Sequence, residues 1–191
     1  MGYVFMVDVF LIALAVFYAP IPWLVVLAHV FSLQNKNKKR LVYLLALILW
    51  LILGWLAFSY YSQILSLKFN SSNVFIGLGI VMLITALLIE IASRMVLSSK
   101  RIMGSSEFSK NKDKLVTTGI YKYARHPRHV EHPLWFLGLG LMFSSSFLIW
   151  FSAYLFISLV VATYFEEKEL IQRYGQEYTD YKRKTPAFFI F

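Results

Sequence analysis

Residues Pro133 to Phe165 decide the fold, because they read PLWFLGLGLMFSSSFLIWFSAYLFISLVVATYF without a charged side chain. A bilayer core of about 30 Å is crossed by about 20 apolar helical residues, so this stretch is too long for one comfortable span. The serine triplet Ser144 to Ser146 lies near its middle and predicts a tight turn between two helices. Counted from Pro133, the first helix is short, so we expect it to begin earlier or to cross the bilayer incompletely.

The composition of the whole chain is that of a membrane protein. The 191 residues are 59% hydrophobic and 15% charged, whereas soluble domains are about 45–50% apolar and about 25% charged. The absence of Cys excludes disulfides, thiol nucleophiles and cysteine metal sites. We therefore expect one all-α, polytopic integral membrane domain over residues 1–191.

Three further apolar stretches predict spans before the hairpin. They are Tyr3–Leu33, Leu41–Tyr61 and Val74–Leu97. Pro20 and Pro22 predict a kink in the first, and Glu90 and Arg94 share one helix face in the third. The total is five transmembrane helices, three in residues 1–97 and a C-terminal helical hairpin in residues 98–191. We expect this second part to carry the cofactor-binding and catalytic segments.

Glycines inside the apolar helices predict close helix packing. They are Gly77, Gly79, Gly138 and Gly140. No strand pattern precedes them and no Lys-Ser/Thr pair follows, so a phosphate-binding loop is excluded.

The basic residues set the expected orientation. With the N-terminus outside and the C-terminus cytoplasmic, five spans place 18 of the 19 Lys and Arg on the cytoplasmic side. With four spans, the five Lys and Arg that follow Phe165 would lie on the outer side of the membrane. The net charge of +9 then faces anionic lipid. We expect membrane lipids, and no nucleic acid, as partners.

Two cytoplasmic blocks hold most polar side chains. They are residues 110–133, KNKDKLVTTGIYKYARHPRHVEHP, and residues 166–186, EEKELIQRYGQEYTDYKRKTP. The first contains a set of candidate zinc ligands: His126, His129, Glu131 and His132. Pro127 and Pro133 interrupt a regular helix there, and one carboxylate among imidazoles makes a poor cage, so we expect no metal.

An ordered set of motifs in these blocks resembles the isoprenylcysteine carboxyl methyltransferase family. The set is Leu115-Val116-Thr117-Thr118-Gly119-Ile120-Tyr121, Arg125-His126-Pro127, the apolar hairpin, Glu166-Glu167 with Leu170, then Tyr174-Gly175, Tyr178, Tyr181 and Pro186. It extends from Leu115 to the C-terminus. His129 and Glu131 stand where the family usually has Tyr and a small residue.

The resemblance implies methyl transfer from S-adenosyl-L-methionine, with S-adenosyl-L-homocysteine as product. Carried over by position, the cofactor-binding residues are Lys114, Leu115, Val116, Gly119, Tyr121, His126, Pro127, His129 and Glu166. The family's eukaryotic members methylate prenylated C-terminal cysteines, which implies an amphiphilic, isoprenylcysteine-like acceptor entering from the bilayer.

Carboxylate methylation also fits the arginines. A carboxylate is ionised near pH 7 and needs no general base, whereas an Arg fork can hold it bidentately. Arg125 and Arg173 are the candidate substrate-binding residues, and we favour Arg173, with Glu167 orienting it. Glu167 and Arg173 are thus the expected catalytic residues, although a plain surface ion pair is an equal alternative.

Three other functions stay open at this point. A lipid N-methyltransferase on a related scaffold would need an acidic subsite for its amine. An NADPH-dependent membrane reductase would need a phosphate-binding cluster, which Lys122, Arg125 and Arg128 could supply. A non-enzymatic membrane protein would bind no cofactor.

Overall fold

A computed structural model describes residues 2–30, 36–97 and 114–189 of the chain. The regular elements in these ranges are α1 (Gly2–Tyr18), α2 (Ile21–Val30), α3 (Lys36–Ser59), α4 (Tyr61–Ser66), α5 (Asn73–Val96), a 3₁₀ helix (Gly119–Lys122), α6 (Pro127–Met142), α7 (Ser146–Tyr174) and α8 (Gln176–Lys184). The predicted helical class is therefore confirmed.

Three helical stretches in the described ranges are long and apolar enough to cross a membrane. They are Met6–Leu27, Asn73–Val96 and Ser146–Tyr174. The apolar part of α3, Tyr43–Ser59, is shorter, and α6 has 16 residues. The chain is a helical membrane protein, whereas five complete spans stay a prediction.

The serine triplet forms the expected turn between α6 and α7. Ser144 adopts a left-handed backbone with φ 56°. The Ser145 hydroxyl caps α7 by accepting a hydrogen bond from Leu148 N at 3.4 Å. α6 begins at Pro127, ahead of the uncharged stretch, as its short apolar part required.

The N-terminal span is interrupted at its prolines, as predicted. Pro22 has no N–H to donate, so α1 ends and α2 starts afresh. Two carbonyls at the break accept side-chain donors instead. Trp50 Nε1 lies 3.0 Å from Phe17 O, and the Tyr154 hydroxyl lies 2.7 Å from Ala19 O. Backbone groups at membrane depth need such partners within the protein, so α3 and α7 stabilise the break.

The helices α5 and α6 cross where a glycine of each helix meets the other, Gly79 of α5 and Gly138 of α6. A Cβ atom at Gly79 would lie 2.7 Å from Gly138 O, and one at Gly138 would lie 2.9 Å from Gly79 O. A Cβ at Gly140 would lie 2.9 Å from the Ile149 side chain of α7. Close packing is thus confirmed at three of the four predicted glycines. At Gly77 a Cβ would meet nothing within 4 Å.

The core lies where α1, α6 and α7 meet. Its buried members include Leu11, Ala15, Phe136, Leu148 and Leu155. α7 continues from this core past the apolar stretch to its end at residue 174. One helix therefore carries both apolar residues of the uncharged stretch and the first part of the second polar block.

Candidate active site

The two polar blocks meet at the end of α7, and backbone hydrogen bonds join them. Arg125 N donates to Pro186 O and His126 N donates to Ala187 O, both at 2.9 Å. The segment after α8 therefore fixes the start of α6.

A cavity of about 170 Å³ lies between the blocks. Seven predicted site residues line it: Leu115, Val116, Tyr121, Arg125, His126, Glu166 and Arg173. Its wall also contains six residues that we had not assigned to the site: Leu97, Glu169, Leu170, Tyr174, Tyr178 and Tyr181. Residues far apart in sequence thus form one chamber with acidic, basic and phenolic groups.

Five predicted site residues lie outside the lining of this cavity. They are Lys114, Gly119, Pro127, His129 and Glu167. Gly119 has φ 60°, and a Cβ there would overlap the Val96 side chain, so it packs the first block against the end of α5. Pro127 is the first residue of α6, a position that suits its fixed φ.

Glu167 is surrounded by three basic side chains. Arg125 Nε donates to Glu167 Oε1 at 2.8 Å, and Lys182 Nζ donates to Oε2 at 2.5 Å. His126 Nε2 lies 3.4 Å from Oε1. Glu167 therefore connects α7 to α8 and to the residues that precede α6.

The two candidate arginines have different surroundings. Arg125 also donates to the carbonyl oxygens of Lys182 and Thr185, so its fork is engaged within the protein. Arg173 lines the cavity, and its Nη1 lies 4.0 Å from Glu169 Oε1. The expectation that Glu167 orients Arg173 is corrected: α7 stays helical, and six residues turn the two side chains to different sides.

His126 is buried between two carboxylates. Its Nδ1 lies 3.4 Å from Glu166 Oε2, on the opposite side of the ring from Glu167. Burial lowers the pKa of His126, but Glu166 and Glu167 outweigh this effect and raise it to about 9. The ring of His129 stacks on that of His126 with centroids 5.2 Å apart, and its Nε2 lies 3.6 Å from Glu166 Oε2.

Glu131, which departs from the family pattern, lies on the α1 side of α6. Its Oε1 lies 3.0 Å from Trp135 Nε1 and 3.2 Å from His132 Nδ1. The His132 ring packs edge-on against Tyr18 of α1. The four candidate zinc ligands of the sequence therefore separate into two groups. His126 and His129 lie near Glu166, whereas His132 lies near Glu131.

Two tyrosines of α8, both members of the motif set, line the cavity. Tyr178 lines the cavity, and its hydroxyl is buried without a hydrogen-bond partner in the part of the chain that the structure describes. Tyr181 donates from its hydroxyl to Tyr121 O at 2.5 Å, and burial raises its pKa to about 12. Their i, i+3 spacing, which places both on one helix face, was the available signal.

Three curated proteins are similar to part of this chain. Over 103 residues the chain is 34% identical to protein-S-isoprenylcysteine O-methyltransferase of Schizosaccharomyces pombe, covering 47% of this chain and 42% of the relative. Over 75 residues it is 41% identical to the nickel-cobalt-cadmium resistance protein NccN of Alcaligenes xylosoxydans xylosoxydans, covering 39% and 35%.

A third relative is the cobalt-zinc-cadmium resistance protein CzcN of Cupriavidus metallidurans, 37% identical over 75 residues and covering the same 39% and 35%. The chain thus matches less than half the length of each curated relative. No solved structure shows a significant match.

The family model for phospholipid methyltransferases matches residues 74–177. This range is more than half of the chain and contains α5, α6 and α7 with the motifs between them. Because the match covers more than half of the chain, the chain belongs to the phospholipid methyltransferase family, which includes the isoprenylcysteine methyltransferases.

Proposed function

We propose that the protein uses S-adenosyl-L-methionine to methylate the carboxylate of a membrane-embedded amphiphilic acceptor at the cytoplasmic face. The observation that carries this proposal is the convergence of the motif residues on one cavity at the end of α7. The orientation follows the charge argument, with the N-terminus outside and the C-terminus cytoplasmic.

The chemistry of the cavity wall fits the cofactor. Glu166 can accept hydrogen bonds from an ammonium or a hydroxyl group, and the rings of Tyr121 and Tyr174 suit an adenine or a sulfonium. The buried Tyr178 hydroxyl offers a donor without a partner in the described residues. When bound, the cofactor supplies a methyl group that moves to the carboxylate oxygen as its carbon–sulfur bond breaks.

The cavity that the described residues enclose, about 170 Å³, is smaller than the about 300–1,000 Å³ typical of ligand sites. We assign Lys114, Gly119, Pro127 and His129 to cofactor binding by position.

Arg173 is the better candidate for the acceptor carboxylate. Both side chains line the cavity, but the donors of Arg125 are engaged by Glu167 and two carbonyls, which fix it in place. Arg173 lies 4.0 Å from Glu169, another residue of the cavity wall. An Arg fork can hold the carboxylate in line with the methyl group, which is the main requirement of this reaction. We accordingly assign Arg125 and Glu167 positioning roles.

A lipid amine is the second candidate acceptor. Two carboxylates line the cavity, those of Glu166 and Glu169, and an amine would need such a subsite. Turnover with N-acetyl-S-farnesylcysteine and with phosphatidylethanolamine vesicles separates the two. Methylation of the first alone supports the carboxylate assignment, and methylation of the second alone overturns it.

The cofactor itself is tested by calorimetry of full-length protein in detergent. We expect saturable binding of S-adenosyl-L-homocysteine and none of NADPH. Glu166→Ala should abolish that binding while the protein stays folded, because Glu166 lines the cavity. The matched control is Glu177→Ala, an exposed acid on α8. Unchanged binding in Glu166→Ala, or NADPH binding instead, would show that the cofactor assignment is wrong.

A further inference from the structure

Three donor atoms converge beside the cavity. Glu166 Oε2 lies 3.4 Å from His126 Nδ1 and 3.6 Å from His129 Nε2. All three ligand atoms lie within 4.8 Å of one another. Two come from the start of α6 and the third from α7, so the hairpin itself brings them together.

These distances match the distances between neighbouring ligand atoms in a tetrahedral metal site. A tetrahedral zinc ion with bonds of about 2.0–2.2 Å to nitrogen and oxygen places its ligands about 3.3–3.6 Å apart. The distances from Glu166 Oε2 to His126 Nδ1 and to His129 Nε2 already have this length. The two imidazole nitrogens lie within 4.8 Å of each other, so a side-chain rotation can bring their separation to the same length.

The surroundings of His129 aim its Nε2 lone pair at Glu166. Thr163 Oγ1 lies 2.9 Å from Leu159 O, a carbonyl that can only accept, so the hydroxyl proton is used there. The same Oγ1 lies 2.8 Å from His129 Nδ1 and must therefore accept that ring's N–H. In the neutral ring Nε2 then carries the lone pair, as a metal ligand requires.

The other nitrogen of His126 lies near a carboxylate but makes no hydrogen bond within the described residues. Its Nε2 lies 3.4 Å from Glu167 Oε1, while its Nδ1 points to Glu166. A metal-ligating histidine commonly offers its second N–H to a carboxylate or another acceptor, which fixes the ring orientation. His129 therefore has an outer hydrogen-bond partner, and Glu167 lies close enough for a ring rotation to give His126 one as well.

We propose that His126, His129 and Glu166 bind a divalent transition-metal ion of the zinc class. The expectation of no metal concerned a set with Glu131 and His132, which the fold separates from His126 and His129. Two imidazoles and one carboxylate are the donor set of open zinc sites, which leave a further position for water or a ligand. His126 and Glu166 line the cavity, so that position would be filled from the cavity. The three ligands are also among the residues that we assign to cofactor binding, but the metal inference rests on the donor geometry and does not require methyl transfer.

The test is a Co²⁺ titration of the full-length protein in detergent, with purification tags removed and metals stripped by EDTA. We expect one equivalent to bind, to give the intense visible absorption of four-coordinate Co²⁺ and to be displaced by Zn²⁺, which binds more tightly. His129→Gln should abolish the signal. Thr163→Val should raise the apparent Kd about 10–100-fold by removing the outer partner.

His132→Gln is the matched control, because it makes the same change one turn further along α6 at a ring that packs on Tyr18. It should keep the wild-type Kd. Circular dichroism confirms that each variant is folded. No saturable binding by folded wild-type protein, unchanged binding in His129→Gln, or equal loss in His132→Gln would overturn the proposal. Co²⁺ binding without S-adenosyl-L-homocysteine binding would instead refute only the proposed function.

Discussion

Replacing Glu167 by Gln tests whether this carboxylate holds the site together. The change keeps the size of the side chain but removes the negative charge that touches Arg125, Lys182 and His126 together. The amide oxygen of the new side chain would still accept one hydrogen bond. The main loss is therefore charge compensation.

The magnitude depends on which cations can reach water. The Lys182 side chain is 44% exposed, so losing its ion pair with Glu167 should cost about 0–1 kcal/mol of stability, as for surface pairs. The side chains of Arg125 and His126 are 7% and 4% exposed and stay buried. Breaking a buried pair costs about 3–5 kcal/mol, and the remaining hydrogen bond favours the lower end. At about 2–4 °C per kcal/mol for a chain of this size, the expected fall in Tm is about 6–12 °C.

Thermal unfolding of detergent-purified protein, followed by intrinsic fluorescence, measures this change. Glu177→Gln, an exposed acid on α8, is the control and should leave Tm within about 2 °C, because surface changes cost about 0.5 kcal/mol or less. Adding Arg125→Met to Glu167→Gln should cost less than the sum of the two single changes, since the buried charge is then gone. A Tm equal to that of the control, or strict additivity, would refute the compensation argument.

The remaining predictions concern other contacts. Gly79→Val should lower the free energy of unfolding by about 1–3 kcal/mol, because the added side chain forces Gly138 away. Gly77→Ala should be neutral or slightly stabilising, since a Cβ there meets nothing within 4 Å. Equal Tm values for the two variants would contradict the close crossing of α5 and α6. Arg173→Ala should leave S-adenosyl-L-homocysteine affinity unchanged but lower turnover of N-acetyl-S-farnesylcysteine, and equal loss of both would make Arg173 structural. Tyr154→Phe should cost about 1 kcal/mol by leaving a carbonyl at the proline break without its donor, and an unchanged melting curve would count against that role.

Local sequence signals predicted the elements well. The serine triplet, the prolines of the first span and the glycines of α5 and α6 each act through their own backbone geometry, so their effects can be inferred one residue at a time. The end of α7 was less predictable. The change from apolar to charged residues at Glu166 marks a membrane boundary, but it does not end a helix, and α7 continues to residue 174.

The sequence pattern could not predict which side chains contact each other across the α6–α7 hairpin. Glu166 lies 40 positions after His126, and the nearer Glu131 was the obvious partner by spacing. The helix turns Glu131 toward α1, while the hairpin returns Glu166 to the two histidines. Likewise Glu167 pairs with Arg125 rather than with Arg173. The family motifs located the residues of the cavity, but only the packing of α6, α7 and α8 decides which charges touch.

The length of α7 beyond the bilayer constrains the acceptor that we propose. Arg173 follows Phe165, the last residue of the uncharged stretch, by eight positions, which is about 12 Å along a helix at 1.5 Å per residue. An acceptor whose tail stays in the bilayer must therefore carry its carboxylate well beyond the end of that tail. A plain fatty acid places its carboxylate directly at the apolar boundary. A lipidated amino acid or peptide extends the carboxylate by a polar linker, so the position of Arg173 favours that class of acceptor.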